Sequence, residues 1–410
     1  MFRLLKKTME KKKYRIALIG NMNNNFFSLM RYFRDLGHDA VLFLYREDGT
    51  GANKHFTPEN DSWSYSKWEP YIIQTRITNG KFHKLLDIFV HRKKYKKYFE
   101  SFDFILGCGF SPGLCNILNK KLDLFLPYSF AGEYTGKNYK TDSFFRILKY
   151  RLVNKIQITG LLKNTRYIGI LDFSEDNLVN YKRNGLMDKV ISTSIPMVYM
   201  EDDLKSGQTE NENIPDVKKI FKNHYPVILS HVAHVRYLLG WNLKRNDLLI
   251  KGFAEFVKEQ KTSALLVLLD YGDGVTDSKE LIKELQIENS VIWLPKMPRK
   301  NLLNIIKDID LGCGELGGAT WGGTGWEFLA CGKPFIQNIG MSEDEFNKKT
   351  GVPLPDIFLA RTEVDVKNIL QSASENKALL KQKSSNITTW FETYSGKNHA
   401  SKIIDILIGV

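Results

Sequence analysis

The sequence predicts an α/β protein of two doubly wound halves facing each other across a cleft, closed by a C-terminal helix that returns to the first half. Three observations predict it. Short apolar runs recur along the 410 residues, helical patterns alternate with them, and a polar, aperiodic stretch divides the chain near its middle. A short apolar run bounded by turn residues reads as a parallel strand buried on both faces. Strands alternating with helices build a parallel sheet covered on both sides.

The first run is Tyr14–Gly20, followed by a helical pattern over Phe26–Leu36 that Gly37 stops. Ala40–Leu44 is the next strand, completing a strand–helix–strand unit. Phe102–Gly107 is a strand leading through Ser111-Pro112 into a helix, Leu124–Pro127 is another, and Tyr167–Leu171 precedes a helix opening at Ser174. Residues 201–215 are polar, acidic and without period, and read as a surface loop at a domain junction. A second set of strands begins at Tyr225–Leu229 and continues with Ala264–Leu269, Val291–Leu294, Asp308–Leu311 and Pro334–Ile336. Helices are expected at about 247–260, 277–286, 299–307 and 325–331, and Thr388–Leu407 is amphipathic and helical. The expected organisation is a Rossmann-like domain over 1–200, a second over 201–387, and a closing helix in 388–410 that packs back on the first.

Apolar residues make up 43% and aromatic residues 12% of the chain, which excludes a globally disordered protein. Cys108, Cys115, Cys313 and Cys331 show no CxxC spacing and are expected as small buried side chains rather than a metal or redox site. The net charge is +13, concentrated in Lys6–Arg15, His91–Lys97 and Lys149–Lys163, and predicts an anionic partner. The aromatic-plus-basic motifs of nucleic-acid modules are absent, so nucleic acid is not expected. The apolar stretch Ile16–Ile19 is too short for a signal core or a membrane span, and no other run is long enough, so the expected location is cytoplasmic.

The chemistry concentrates in Gly317–Ile336. Five glycines fall within residues 317–325, directly before an apolar helical pattern that carries Glu327 early, expected in its first turn. A glycine-rich turn feeding a helix N-terminus offers backbone N–H groups and the positive end of the dipole, which suits a phosphate or diphosphate. Gly332 then caps the helix and Lys333-Pro334 leads into a strand.

Trp321–Ile336 resembles the donor-site signature of retaining GT-B glycosyltransferases of family four: two glutamates eight residues apart, then a short apolar stretch and Gly-Lys-Pro. Glu327 matches the second glutamate, which implies a contact with the nucleotide ribose. Gly322, Gly323 and Thr324, with Gly325 beside them, match the segment facing the diphosphate and sugar. The first glutamate falls on Ala319, so the pair is broken, and Glu315 is the nearby acid that would substitute. Upstream, Ile228–Arg236 and Lys244–Phe256 resemble the start of the family's C-terminal domain. The resemblance implies that Lys244 and Arg236 stabilise the leaving diphosphate, with no metal and no bound cofactor. Two cations there would offset the charge that develops as the glycosyl bond breaks. His231 lies in the same loop, and the resemblance further implies that Gly272 lies in a turn near the nucleotide and Met297 in the segment whose backbone meets the base.

The first half is expected to hold the acceptor. Gly20 opens an Asn-rich loop that such enzymes place near the reacting sugar, and Glu133, in Pro127–Tyr134, is the candidate catalytic acid or base. Phe144–Leu162 mixes apolar and basic residues as an interfacial amphipathic helix does. The resemblance therefore implies a nucleotide-sugar donor, a glycan or lipid-linked acceptor, and an anionic membrane surface on the inner face of the cell membrane as a further partner. The setting it implies is bacterial surface polysaccharide or oligosaccharide assembly. Two rival readings remain: a nucleotide-sugar 2-epimerase of the same fold, and a non-catalytic protein that binds sugar nucleotide or scaffolds a partner.

Overall fold

A computed structural model describes residues 12–49, 57–127, 144–170, 175–193, 198–201, 217–235, 244–260, 262–318 and 322–410. Two sheets organise it. The first contains β1 (Arg15–Ile19), β2 (Asp39–Leu44), β3 (Ile72–Gln74), β4 (Phe104–Gly107), β5 (Leu122–Phe125), β6 (Thr165–Ile170) and β7 (Val190–Ser192), in the order β3-β2-β1-β4-β5-β6-β7. The second contains β8 (Val227–Ser230), β9 (Leu265–Asp270), β10 (Val291–Pro295), β11 (Leu311–Cys313), β12 (Phe335–Gln337) and β13 (Phe358–Leu359), in the order β10-β9-β8-β11-β12-β13. Every pairing is parallel, as for β1 with β2 and β4 and for β8 with β9 and β11.

The central strands β1 (RIALI) and β9 (LLVLLD) are buried along almost their whole length, as two helix-covered faces require. The order reverses between β1 and β4 in one sheet and between β8 and β11 in the other, which creates a crevice beyond the strand ends in each domain. At the first crevice Gly20 has φ +86°, and a side chain there would stand 2.6 Å from Tyr45 and 2.7 Å from the Cys108 sulfur. Asn23 and Asn24 also take positive φ, a conformation asparagine tolerates. Asn21 then accepts the Phe27 N–H at 3.0 Å, fixing the start of the Asn25–Asp35 helix.

Some expected elements move. The strand expected at Asp308–Leu311 is Leu311–Cys313, because Asp308 still belongs to the Arg299–Asp308 helix and Asp310 turns its carboxylate onto the Val227 N–H at 2.8 Å. The helix at the glycine-rich stretch starts at Gly322, not near residue 325, so Glu327 lies in its second turn rather than its first. The single helix expected from Thr388 to Leu407 is two, Lys377–Tyr394 and Gly396–Ile408, interrupted where Gly396 takes φ +52°. Trp390 and Phe391 stay in the second domain's core. Ala400, Ile403, Ile404 and Leu407 join the core of the first, beside Phe27 and Met30. The chain thus crosses between domains at Ser395. The polar loop expected at 201–215 lies, beyond Glu201, outside the described residues.

Candidate functional site

The loops beyond β8, β9, β11 and β12 surround the crevice of the second sheet. Lys244, just ahead of the Asn246–Gln260 helix, donates to the Glu315 carboxylate in a close ion pair. Its backbone oxygen accepts the Leu316 N–H at 3.2 Å, so the two loops are stitched together. Gln337 fixes Glu315 from behind, accepting its N–H at 3.1 Å and donating to its carbonyl at 2.7 Å. Gly322 has φ +54°, and a side chain on it would approach the Glu315 carboxylate to 3.1 Å. At Gly323 an added side chain meets nothing within 4 Å among the described residues. Lys244, Glu315, Gly322 and Gly323 therefore converge on open space at a helix N-terminus, where Thr324 is half-buried and Gly325 is buried.

Glu327, one turn further in, is held by protein through both carboxylate oxygens. One oxygen meets His231 Nε2 at 2.6 Å and the other accepts from Arg299 Nε at 2.7 Å. Burial works to raise its pKa, but Arg299 and His231 outweigh it and hold the carboxyl below its ordinary value, ionised at neutral pH. His231 also lies edge-on to Phe328, ring centres 4.9 Å apart, and its Nδ1 is buried without a partner among the described residues.

Gly272 explains the neighbouring turn. Its φ of +114° lets the β9 turn close on the β8 loop, with the His234 N–H donating to Tyr271 at 2.8 Å and the Gly274 N–H donating to His234 at 2.9 Å. His234 is fully buried, 2.8 Å from the Ser278 hydroxyl and 5.0 Å from the Trp293 ring. Burial pushes its imidazole down to about 4, so it is neutral, and its Nε2 is also buried without a partner among the described residues. Met297 packs its side chain into the second domain's core, leaving only backbone for a ligand.

At the crevice of the first sheet, Gly20 adjoins a cavity of about 70 Å³ lined by Asn21, Asn23, Tyr45, Asp48 and Cys108. Asp48 accepts the Tyr45 N–H at 2.8 Å. Burial, with Glu47 beside it, pushes its carboxyl up to about 7. Glu133, Arg236 and Ala319 lie outside the described residues.

Sequence reading missed Asp48, Arg299 and the charged side chains that Arg299 meets in the first domain. Arg299 opens a helix, where the dipole disfavours a cation. That misfit was the available signal. Arg299 Nη1 reaches Asp61 in the first domain at 3.2 Å, and Asp61 pairs with Arg31. Arg31, fully buried in the Asn25–Asp35 helix, meets Glu201 at 3.1 Å. Glu201 is held by the Ser62 hydroxyl and, at 2.9 Å, the Trp63 N–H.

Two parallel doubly wound sheets with facing crevices and a returning C-terminal helix define the GT-B class of fold. Residues 239–350 match the family of glycosyl transferases group 1. Solved structures share the fold at low identity. A glycosyltransferase from Rickettsia africae ESF-5 is 16% identical, with 97% of this chain and 98% of that one covered and a TM-score of 0.60. The lipopolysaccharide outer core galactosyltransferase WaaB is 14% identical over 96% and 99%, with a TM-score of 0.54. The UDP-GlcNAc 2-epimerase from Neisseria meningitidis, bound to UDP-GlcNAc, is 11% identical over 96% and 99%, also at 0.54. No curated protein sequence matches the chain.

Proposed function

We propose that this protein transfers a sugar, with retention, from a nucleoside diphosphate sugar to a glycan or lipid-linked acceptor, without a metal or bound cofactor. The observation that carries the reading is the convergence of Lys244, Glu315 and the open turn at Gly322–Gly323 on one helix N-terminus. A diphosphate in that space meets backbone N–H groups and the dipole. It competes with Glu315 for the Lys244 ammonium, which then offsets the leaving-group charge. Arg236 is the second cation of this proposal. Glu327 keeps free lone pairs beyond its two protein contacts, and a ribose hydroxyl can donate to one of them. The departing phosphate takes the acceptor proton, with Glu133 and Asp48 as the carboxyls on the acceptor side.

An anionic membrane surface on the cytoplasmic face is the proposed setting. The Phe82–Val90 helix exposes Leu86, Phe89 and Val90, and the Phe144–Lys163 helix exposes Phe144, Phe145 and Leu148. Between them lies a cavity of about 630 Å³ lined by Lys81, His83, Arg146 and Lys149. Lys81, Arg146 and Lys149 each contribute about 1 kcal/mol beside anionic lipid. Among the described residues no helix is long and apolar enough to cross a membrane, so contact would be made from the side.

The test is a panel of nucleoside diphosphate sugars, read by thermal shift and nucleotide release with and without candidate acceptors. Stabilisation by at least one donor, followed by nucleotide release, is expected. No stabilisation by any donor would sink the reading. The 2-epimerase reading is favoured by the likeness to an epimerase fold. It predicts conversion of the nucleotide sugar to its 2-epimer without transfer to an acceptor, which product analysis distinguishes.

A further inference from the structure

Six charged or ionisable side chains form one continuous buried row: His231, Glu327, Arg299, Asp61, Arg31 and Glu201. The links are 2.6 Å, 2.7 Å and 3.2 Å from His231 to Asp61, then the Asp61–Arg31 pair, then 3.1 Å to Glu201. The row starts beside the glycine-rich turn of the second domain. It passes through the loop carrying Asp61 and ends on Glu201, in the segment that leads out of the first domain. No member is more than 7% exposed.

Stability is a poor reason for such a row. Taking several charges out of water offsets most of their mutual attraction, and apolar side chains of similar size hold an interface at least as well. What the row supplies is geometry. Arg299 binds Glu327 through Nε and Asp61 through Nη1, and its planar fork fixes the direction between them. The docking is local and specific: Lys300 donates to the Glu59 carbonyl at 2.9 Å and lies 4.9 Å from the Trp63 ring, while Trp63 packs on the second domain's core. At the far end the Tyr32 hydroxyl donates to the Val198 carbonyl at 3.0 Å, tying the outgoing segment to the same helix as Arg31.

We infer that Arg299 is a positioning residue that couples the seating of the two domains to the orientation of Glu327 in the donor site, with Asp61 acting through it from the opposite domain. This rests on the donor-site reading above. When the domains are seated, Asp61 holds Arg299 and Arg299 holds the Glu327 carboxylate in its present rotamer. When they part, Arg299 loses one of its two anions and the carboxylate loses its fixed direction. Donor affinity thereby depends on a residue that does not line the donor crevice, and donor binding favours the seated arrangement by the same factor.

The experiment titrates the unsubstituted protein with uridine, guanosine and thymidine diphosphates by calorimetry. It repeats the titration on Asp61→Asn, Glu327→Gln and the double variant, with turnover measured on the same proteins. Asp61→Asn is expected to weaken nucleotide binding about tenfold and to raise the donor KM with little change in kcat. The double variant should bind about as weakly as Glu327→Gln alone, since both act through one contact. Arg299→Lys, which keeps the charge but not the fork, should weaken binding as Asp61→Asn does. If Asp61→Asn fails to fold, Ser62→Ala, which removes only a hydrogen bond to Glu201, replaces it with a smaller rise in the same KM. Normal binding by the unsubstituted protein with additive losses in the double variant overturns this inference alone. No nucleotide binding by the unsubstituted protein overturns the donor-site reading itself.

Discussion

Replacing Gly272 with alanine should destabilise the second domain by about 3–4 kcal/mol, a sum built from two contributions. The backbone there has φ +114°, which costs an L-residue about 1–2 kcal/mol. The added methyl would stand 2.1 Å from the His234 carbonyl oxygen and 2.6 Å from its nitrogen. Relief requires the His234 segment to withdraw, and that segment is held by the bonds to Tyr271 and Gly274, 2.8 and 2.9 Å long. Losing both costs about 2 kcal/mol in all. For a domain of this size the total lowers Tm by about 6–16 °C. Scanning calorimetry of the full chain measures it, with circular dichroism to establish that the variant folds. A shift below about 2 °C would refute the reasoning, because the two loops would then separate without penalty and Gly272 would not be needed for their approach.

Gly323→Ala gives the opposite combination. With nothing within 4 Å of the new methyl, the Tm should hold or rise, while stabilisation by a sugar nucleotide falls because the methyl enters the proposed diphosphate space. A variant that loses Tm and keeps donor binding would misplace the site. Lys244→Ala should abolish donor-dependent stabilisation, and retention of half of it would remove Lys244 from the diphosphate. His234 sets a pH dependence. Its folded pKa of about 4 lies below the unfolded value of about 6.5, so the unfolded chain takes the proton first. The stability His234 contributes is present above pH 6.5 and is lost as pH falls towards 4, by up to about 3 kcal/mol. The wild type should therefore lose more Tm between pH 7 and pH 5 than His234→Gln, and an imidazole NMR titration with a midpoint near 6.5 would contradict this. Finally, replacing Phe145 and Leu148 with serine should reduce sedimentation with phosphatidylglycerol vesicles and leave donor binding unchanged. Unaltered sedimentation would rule out that surface.

Legibility followed the range of the signal. The strands Arg15–Ile19 and Leu265–Asp270 were readable because both their faces are buried and the run is continuously apolar. The short edge strands Ile72–Gln74, Val190–Ser192 and Phe358–Leu359 were not, since two or three residues carry no period. In the site, Lys244 and Glu315 were both legible and do meet. Glu327 and His231 were each legible as site residues, yet their pairing and the part of Arg299 were not.

The sequence by itself determined the doubly wound halves and the glycine-rich turn that feeds a helix. Burial and backbone conformation impose local periods and local residue types, and these are written in consecutive residues. Only the tertiary structure decided that Arg299 faces Asp61 and Glu327 at once, that Arg31 is buried against Glu201, and that the chain crosses back at Ser395. An ion pair has no sequence period. Its partners here lie 28, 170 and 238 residues apart, and a charged side chain reads the same on a surface as in a buried row until the two domains are docked.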